Sequence, residues 1–277
     1  MQAKRALGVI DAPSDDNSGE ALAALSGKLD QMIRLLDESI HLQRVALLEE
    51  GNTLRLQVDG LRDVVLALPN AQDDFVQRTI VKTRNFYEAR LLATVQGMGL
   101  IRADTTVCDV GANIGNHSVF FGRVLGARRV LAFEPQPHCY ATLCRNLELN
   151  GLTDSLAYNC MVGQKSGRGD VTRFNARNLG GTAFAPAKDG PVPMVALDDL
   201  ATAEEMKGLG FLKIDTEGMQ MEVLQGARKI LKAFKPAIWV ELLAKENAYP
   251  ETAKFLEGFG YASVQIGPND HIFTVRK

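Results

Sequence analysis

The ten residues Val107-Cys-Asp-Val-Gly-Ala-Asn-Ile-Gly-Asn116 constrain this chain more than any other stretch. An apolar run ends in Asp109, a loop with glycines at 111 and 115 follows, and an amphipathic segment starts near Gly115. The pattern is strand, tight turn, helix. Gly111 and Gly115 let the backbone turn sharply and approach a ligand closely. In open α/β sheets, ligands bind at the carboxyl ends of strands where the strand order reverses. The spacing here is G-x-x-x-G with an acid two residues before it, not the G-x-G-x-x-G of dinucleotide binding. A pyrophosphate is held by bare amides at a helix N-terminus, whereas an acid at the strand end suits a cationic group such as an amino acid's ammonium.

The flanking sequence repeats the alternation of short apolar runs with helical segments. Strands are expected at Thr106 to Val110, Arg129 to Phe133, Ala157 to Val162, Phe211 to Asp215 and Ala237 to Leu242. Helices are expected over Asp74 to Val95, Gly115 to Leu125, Pro137 to Asn150, Met219 to Phe234 and Pro250 to Phe259. Tyr261 to Ile266 and His271 to Arg276 read as a closing hairpin. The fold class is therefore α/β: a Rossmann-like, open, doubly wound and mostly parallel sheet with an antiparallel C-terminal hairpin. Between Gly163 and Leu197 the polar strands and glycines predict a β-excursion on the sheet edge.

Upstream the texture differs. Residues 1–20 contain the acidic, proline-broken DAPSDDNSGE and read as a flexible tail. Over residues 21–70, Leu22, Leu25, Leu29, Met32 and Leu36 step by 3, 4, 3, 4, the seam of a coiled coil, with a first arm of roughly 40 Å. Leu54, Val58, Leu61, Val65 and Leu68 repeat the alternation in a shifted frame, with a break at Gly51-Asn52. Two readings stay open: helices packed on their own catalytic domain, or a homo-oligomerising coiled-coil extension. Residues 71–277 form the α/β domain.

Composition excludes some partners. With 31 basic against 33 acidic side chains, there is no electrostatic reason to expect nucleic acid or an anionic membrane as the main partner. No uncharged apolar run approaches the roughly 20 residues of a membrane span, and Asp11, Asp15 and Asp16 follow Met1 to Ile10 too closely for a signal peptide. Cys108, Cys139, Cys144 and Cys160 show no C-x-x-C spacing and read as reduced thiols. The expectation is a cytoplasmic protein.

A second acid narrows the ligand. The strand ending in Phe133 is followed by Glu134-Pro135, with Glu134 19 residues after Gly115. An acid there can accept both hydroxyls of a ribose, or simply start a helix in solvent. Taken with the D-x-G-x-x-x-G loop, it implies a nucleoside carrying a cationic amino-acid tail, which describes S-adenosylmethionine. At these residues the sequence resembles the class I S-adenosylmethionine-dependent methyltransferases, and specifically the FkbM family. Three blocks carry the resemblance: DVGANIGNHSVFF (Asp109 to Phe121), AFEPQPHCYATLCRNLELN (Ala132 to Asn150), and FLKIDTEGMQMEVLQGA (Phe211 to Ala227) followed by Pro236 to Glu241. Thr216 and Met219-Gln220 are mild departures from the family's pattern.

The resemblance implies that Asp109, Gly111, Asn113, Gly115 and Asn116 surround the methionine moiety, that Glu134 holds the ribose, and that Met161 flanks the adenine. It implies an O-methyltransferase acting on a hydroxyl of a sugar, glycan or polyketide-like acceptor. An alcohol needs a general base within hydrogen-bond reach; Asp215, Glu217, His117 and Glu241 are the candidates. Asp215 and Glu217 could instead cap the following helix, His117 could be a structural donor, and Glu241 could pair with Lys213 across neighbouring strands. Oxygen ligation of a divalent metal by Asp215, Glu217 and Glu241 is the lesser alternative, and no metal is expected. Arg168, Arg173 and Arg177 in the excursion could recognise an anionic acceptor or form a solvated edge. Two rivals remain: a non-catalytic oligomeric assembly protein retaining a cofactor-binding fold, and an NAD-dependent oxidoreductase, disfavoured by the glycine spacing.

Overall fold

The computed structural model describes residues 15–58, 63–242 and 248–276. A long helix α1 (Asp15–Ala46) leads into a hairpin, β1 (Thr53–Leu56) and β2 (Val64–Ala67). Helices α2 (Phe75–Thr83) and α3 (Ala89–Met98) precede β3 (Thr106–Val110). Then come α4 (Asn116–Val119), which runs into a π-turn at Phe120–Val124, β4 (Arg129–Phe133), α5 (Pro137–Leu149) and β5 (Leu156–Tyr158). The excursion holds β6 (Met161–Val162), β7 (Gly167–Arg173), β8 (Ala183–Pro186) and β9 (Val192–Val195). The chain closes with β10 (Leu209–Ile214), α6 (Gln220–Gln225), α7 (Arg228–Ala233), β11 (Ala237–Glu241), α8 (Ala248–Glu257), β12 (Tyr261–Gln265) and β13 (Asp270–Val275).

The main sheet has the order β5-β4-β3-β10-β11-β13-β12. Its first five strands are mutually parallel, and β13 runs antiparallel to both neighbours. The α/β class and closing hairpin expected from the sequence are thus what the chain forms. Every residue of β3 is buried, as suits a central parallel strand covered on both faces. One apolar layer holds Val107, Phe121, Phe211 and Trp239 with α2 and α3; the other holds Leu131, Leu212, Val223, Leu231 and Phe273. Strand order reverses between β3 and β10, so the carboxyl ends of these strands open a crevice there.

Several expectations need correction. Thr53–Leu56 and Val64–Ala67 are strands, not parts of a second helix, and Leu61 of the expected seam lies outside the described residues. Leu54, Leu56, Val64, Leu66 and Leu68 are buried at a period of two, and β1 pairs with β2 from Thr53↔Ala67 to Leu56↔Val64. Two asparagines of α5 complete this hairpin. Asn146 Oδ1 accepts the Ala67 N–H (2.6 Å), and Asn150 both accepts the Val65 N–H (3.0 Å) and donates to its carbonyl (2.7 Å). The outer edge of β2 is therefore satisfied by side chains, not by another strand.

Ala157 to Val162 also splits. β5 belongs to the main sheet, while β6 pairs with β9 in a separate four-stranded sheet of order β6-β9-β7-β8. The helix expected over Met219 to Phe234 breaks at Gly226-Ala227, where a Cβ on Gly226 would lie 2.1 Å from the Gly163 carbonyl oxygen. The helix expected over Asp74 to Val95 breaks too, with Arg84 (φ 50°) and Glu88 (φ 57°) in the left-handed region.

Candidate active site

At the switch point lies a cavity of about 200 Å³. Val110 and Gly111 reach it from the end of β3, Phe133 and Glu134 from β4, Asp215 from just after β10, and Glu241 from β11. Met161 of β6, with Asn178, Gly180, Thr182 and Phe184 of the excursion, closes the opposite wall. Of the eleven residues singled out in the sequence, Gly111, Asn113, Asn116, His117, Glu134, Met161, Asp215, Glu217 and Glu241 line this one cavity.

Asp109 and Gly115 do not. Asp109 is fully buried; its Oδ2 accepts the Ser118 hydroxyl (2.6 Å) and its Oδ1 lies 3.7 Å from Lys213 Nζ. The strand register explains this, because Lys213 of β10 sits directly beside Asp109 of β3. The acid expected to meet a ligand's cation is thus neutralised inside the sheet by the chain's own lysine. The glycines also differ from expectation. Gly111 (φ +82°) is required because a Cβ there would stand 1.8 Å from the Asp215 carbonyl oxygen, and one on Gly115 (φ +82°) would meet Leu143 at 2.6 Å. Both positions need glycine for their left-handed backbone and for close approach of other parts of the chain.

Glu134 is the best-organised acid in the cavity. It is 3% exposed, yet its Oε2 accepts the Asn113 N–H and its Oε1 the Gln136 N–H, both at 2.8 Å. Asn113 reaches that position through a left-handed backbone (φ 50°). Burial pushes the Glu134 carboxyl up to about 7, against the pull of the two N–H groups. Each oxygen keeps a lone pair for a further donor. Asn116 is occupied structurally: its amide exchanges hydrogen bonds with the Tyr87 backbone (3.0 and 3.1 Å), which draws Tyr87 and Glu88 to the rim.

Across the cavity is a second cluster. Lys213, 2% exposed, donates to Asp215 Oδ2 (2.9 Å) and lies 5.9 Å from the centre of the Trp239 ring, its register neighbour on β11. Burial works against the lysine's charge, but Asp215 and Asp109 outweigh it and raise its pKa above the usual range. Burial likewise opposes ionisation of Asp215, yet the Lys213 ammonium holds its carboxyl below the usual carboxylate range. Burial, then the neighbouring Asp215 charge, pushes Glu241 up to about 8, so at neutral pH the pair carries one proton with Asp215 the ionised partner. The expected Glu241–Lys213 pair does not form. Lys213 faces Asp109 and Asp215, and the cross-strand neighbour of Glu241 is Asp270, whose carboxyl accepts the Trp239 indole N–H (2.9 Å) and is also raised by burial.

His117 is buried, edge-on to Trp239 with ring centres 5.2 Å apart, and its Nε2 is 3.2 Å from Glu88 Oε2. Glu217 accepts from Arg173 (3.0 Å). Arg168 is committed to the Gly190 and Pro191 carbonyls, and Arg177 is exposed. Nothing in the sequence marked Tyr87, Glu88 or Gln136 as cavity residues.

The polar lining is incompletely matched. Asn113 Oδ1, Gln136 Oε1, Asn178 Oδ1 and Thr216 Oγ1 are buried without a hydrogen-bond partner. The Gln136 amide orientation is set by its Nε2 donating to the Leu179 carbonyl (2.8 Å). Buried polar atoms are normally paired; three amide oxygens beside Glu134 therefore suit a ligand rich in N–H and O–H donors. Among the described residues, no group of three or more His, Cys, Asp or Glu is placed to hold a metal ion, and no helix is long and apolar enough to cross a membrane.

The family model of the methyltransferase FkbM domain matches residues 109–263, more than half of the chain. The chain belongs to the FkbM methyltransferase family. Among curated relatives, Methyltransferase 1 of Beauveria bassiana is 25% identical over 181 residues, 57% of this chain and 73% of the relative. Methyltransferase sdnD of Sordaria araneosa is 27% identical, covering 56% and 73% respectively. The hexuronic acid methyltransferase AglP of Haloferax volcanii is 27% identical over 47% of this chain and 53% of its own length. A solved FkbM methyltransferase from Methylobacillus flagellatus shares 17% identity at a TM-score of 0.46; it covers 62% of this chain, which spans 44% of that protein. The FkbM match begins at Asp109 and ends within β12. It therefore includes the Glu134 and Lys213–Asp215–Glu241 clusters and leaves out α1 and the β1–β2 hairpin.

Proposed function

We propose that this FkbM methyltransferase takes its methyl group from S-adenosylmethionine and transfers it to a hydroxyl of a sugar, glycan or polyketide-like acceptor. The observation that carries the reading is Glu134, a buried carboxyl oriented by two backbone N–H groups and facing a wall of unpaired amide oxygens. Ribose hydroxyls and an adenine amino group are donors of the kind this wall lacks. Glu134 and Asn113 would hold the ribose, Met161 and Phe133 would border the base, and the Gly111 loop with Asp215 would surround the methionine end. S-adenosylmethionine supplies a methyl already activated by its positive sulfur, so orientation by the chain provides much of the rate.

The acceptor's hydroxyl must lose its proton as the new bond forms. In this reading Glu241 receives it in those molecules whose Glu241 carboxyl is ionised, a share that grows as pH rises through about 8, and it is the stronger base of the pair because Lys213 stabilises the charge on Asp215. Glu217 and His117 would line the acceptor's approach and position it. A hexuronic acid, the substrate class in the name of one relative, is one acceptor to test. Incubation of the chain with methyl-labelled cofactor and a panel of glucuronic and galacturonic acids, neutral sugars and hydroxylated polyketides should label at least one hydroxyl compound, and Glu241→Gln should lower turnover with cofactor affinity kept. Label appearing only on nitrogen or carbon would overturn the O-methyl assignment.

A further inference from the structure

Helix α1 divides its faces in an unusual way. One face is tied to the body: Lys82 Nζ donates to Asp37 (2.8 Å), Arg78 to Glu38 (2.8 Å), Arg44 to the Lys82 carbonyl (2.6 Å), and His41 Nε2 meets the Ala71 carbonyl (2.8 Å). Roughly a third of a turn away, at 3.6 residues per turn, runs an apolar stripe that the described residues leave open to solvent. Seven large apolar side chains share it, Leu22, Leu25, Leu29, Met32, Ile33, Leu36 and Ile40, and keep between 39% and 67% of their surface exposed. Single exposed leucines need no explanation; a contiguous stripe does.

We propose that this stripe is covered by the same stripe of a second copy of the chain, making α1 a self-association helix. Its core residues, Leu22, Leu25, Leu29, Met32 and Leu36, follow the 3-4-3-4 steps that let two helices interlock side chains along one seam. The seam stops at Leu36, and the body contacts begin at the next residue, Asp37; the helix is thus free for a partner along one part and anchored along the other. While these ion pairs hold the tied face, the described body stays about a third of a turn from the stripe and leaves it uncovered.

An anionic membrane fits poorly. Asp15–Ala46 carries six acidic and three basic residues, whereas surface-lying helices carry a basic polar face. Seven such side chains offer on the order of 700 Å² of apolar surface, close to what one partner contributes to an ordinary stable interface. A two-fold arrangement makes one stripe sufficient for both copies.

Sedimentation velocity on the full chain at micromolar concentration tests this. The wild-type chain should sediment with at least twice the mass of one chain. The double variant Leu29→Glu/Leu36→Glu should sediment as one chain, with self-association weakened at least about a hundredfold. Its near-ultraviolet signal from Trp239, buried in the sheet, should be unchanged, which separates lost association from lost folding. A wild-type chain that stays single at tens of micromolar overturns the proposal, as does a variant that keeps the wild-type mass. Capture of single chains by vesicles of phosphatidylcholine and phosphatidylserine, without self-association, would assign the stripe to lipid and overturn it equally.

Discussion

Replacing Lys213 with methionine is the perturbation that bears hardest on the polar network. Lys213 and Asp109 are almost completely withdrawn from water, and the lysine is the cation facing both Asp109 and Asp215. Removing one partner of a buried ion pair costs about 3–5 kcal/mol, because the charge left behind is uncompensated. Here the loss should fall near the lower end, about 3 kcal/mol. Asp215 keeps 36% of its side-chain surface open to the cavity and can be solvated there, and Asp109 keeps the Ser118 hydroxyl. Against a total stability of roughly 5–15 kcal/mol this is large.

Urea denaturation followed by far-ultraviolet circular dichroism measures it. The double variant Lys213→Met/Asp109→Asn removes both charges and should recover about 2 kcal/mol, the coupling expected of a contacting pair. The pH dependence has a definite sign. The raised lysine pKa stabilises through neutral pH and is lost only as pH rises through its folded value. The lowered Asp215 pKa stabilises above the ordinary carboxylate range and is lost as pH falls through its folded value. The gap between wild type and Lys213→Met should therefore narrow in acid. A loss under about 1 kcal/mol, or strictly additive single and double variants, would refute the assignment of Lys213 as the neutralising partner of Asp109.

Other outcomes follow from the same geometry. Glu134 and Glu241, raised to about 7 and about 8, bind protons that their unfolded counterparts have released. Stability should therefore fall as pH rises from about 4.5 to about 8 and level off above that, as urea midpoints across the range would show. Turnover should rise as pH passes through about 8, where Glu241 gives up its proton; a flat kcat profile across that window would exclude it as the base. Gly111→Ala should cost well over 2 kcal/mol and abolish ligand binding, since its Cβ would overlap the Asp215 carbonyl. Gly126→Ala, with φ +71° and open space around it, should cost only about 1 kcal/mol, and thermal melts of the two compare them directly. Arg173→Ala should lower stability by less than about 1 kcal/mol, since its pair with Glu217 is half open to solvent.

Local chemistry was legible in the sequence, and long-range pairing was not. The β3-loop-α4 turn, Glu134 at the end of β4 and the β12–β13 hairpin each declare themselves within a dozen residues. The hairpin at Thr53–Ala67 hid behind leucines that fit either period. What decides between them is the asparagine pair of α5, some 80 residues downstream in sequence. The role of Asp109 could not be read from its own motif either. Its side chain is claimed by Lys213, and that contact exists only because β10 lies beside β3 in this register. The same register sets Trp239, not Glu241, beside Lys213. Tyr87 and Glu88 escaped notice because they reach the cavity through the Asn116 amide, a contact spanning 29 residues.

The central claim is that Glu134 and the donor-poor wall beside it hold S-adenosylmethionine. Calorimetric titration of the purified chain with that cofactor tests it most directly. One molecule should bind per chain, with affinity improving as pH rises through about 7 while Glu134 ionises, and Glu134→Ala should weaken binding at least about tenfold while the near-ultraviolet signal of Trp239 shows the sheet still folded. Absence of binding by the wild-type chain, or full affinity in Glu134→Ala, would contradict the account.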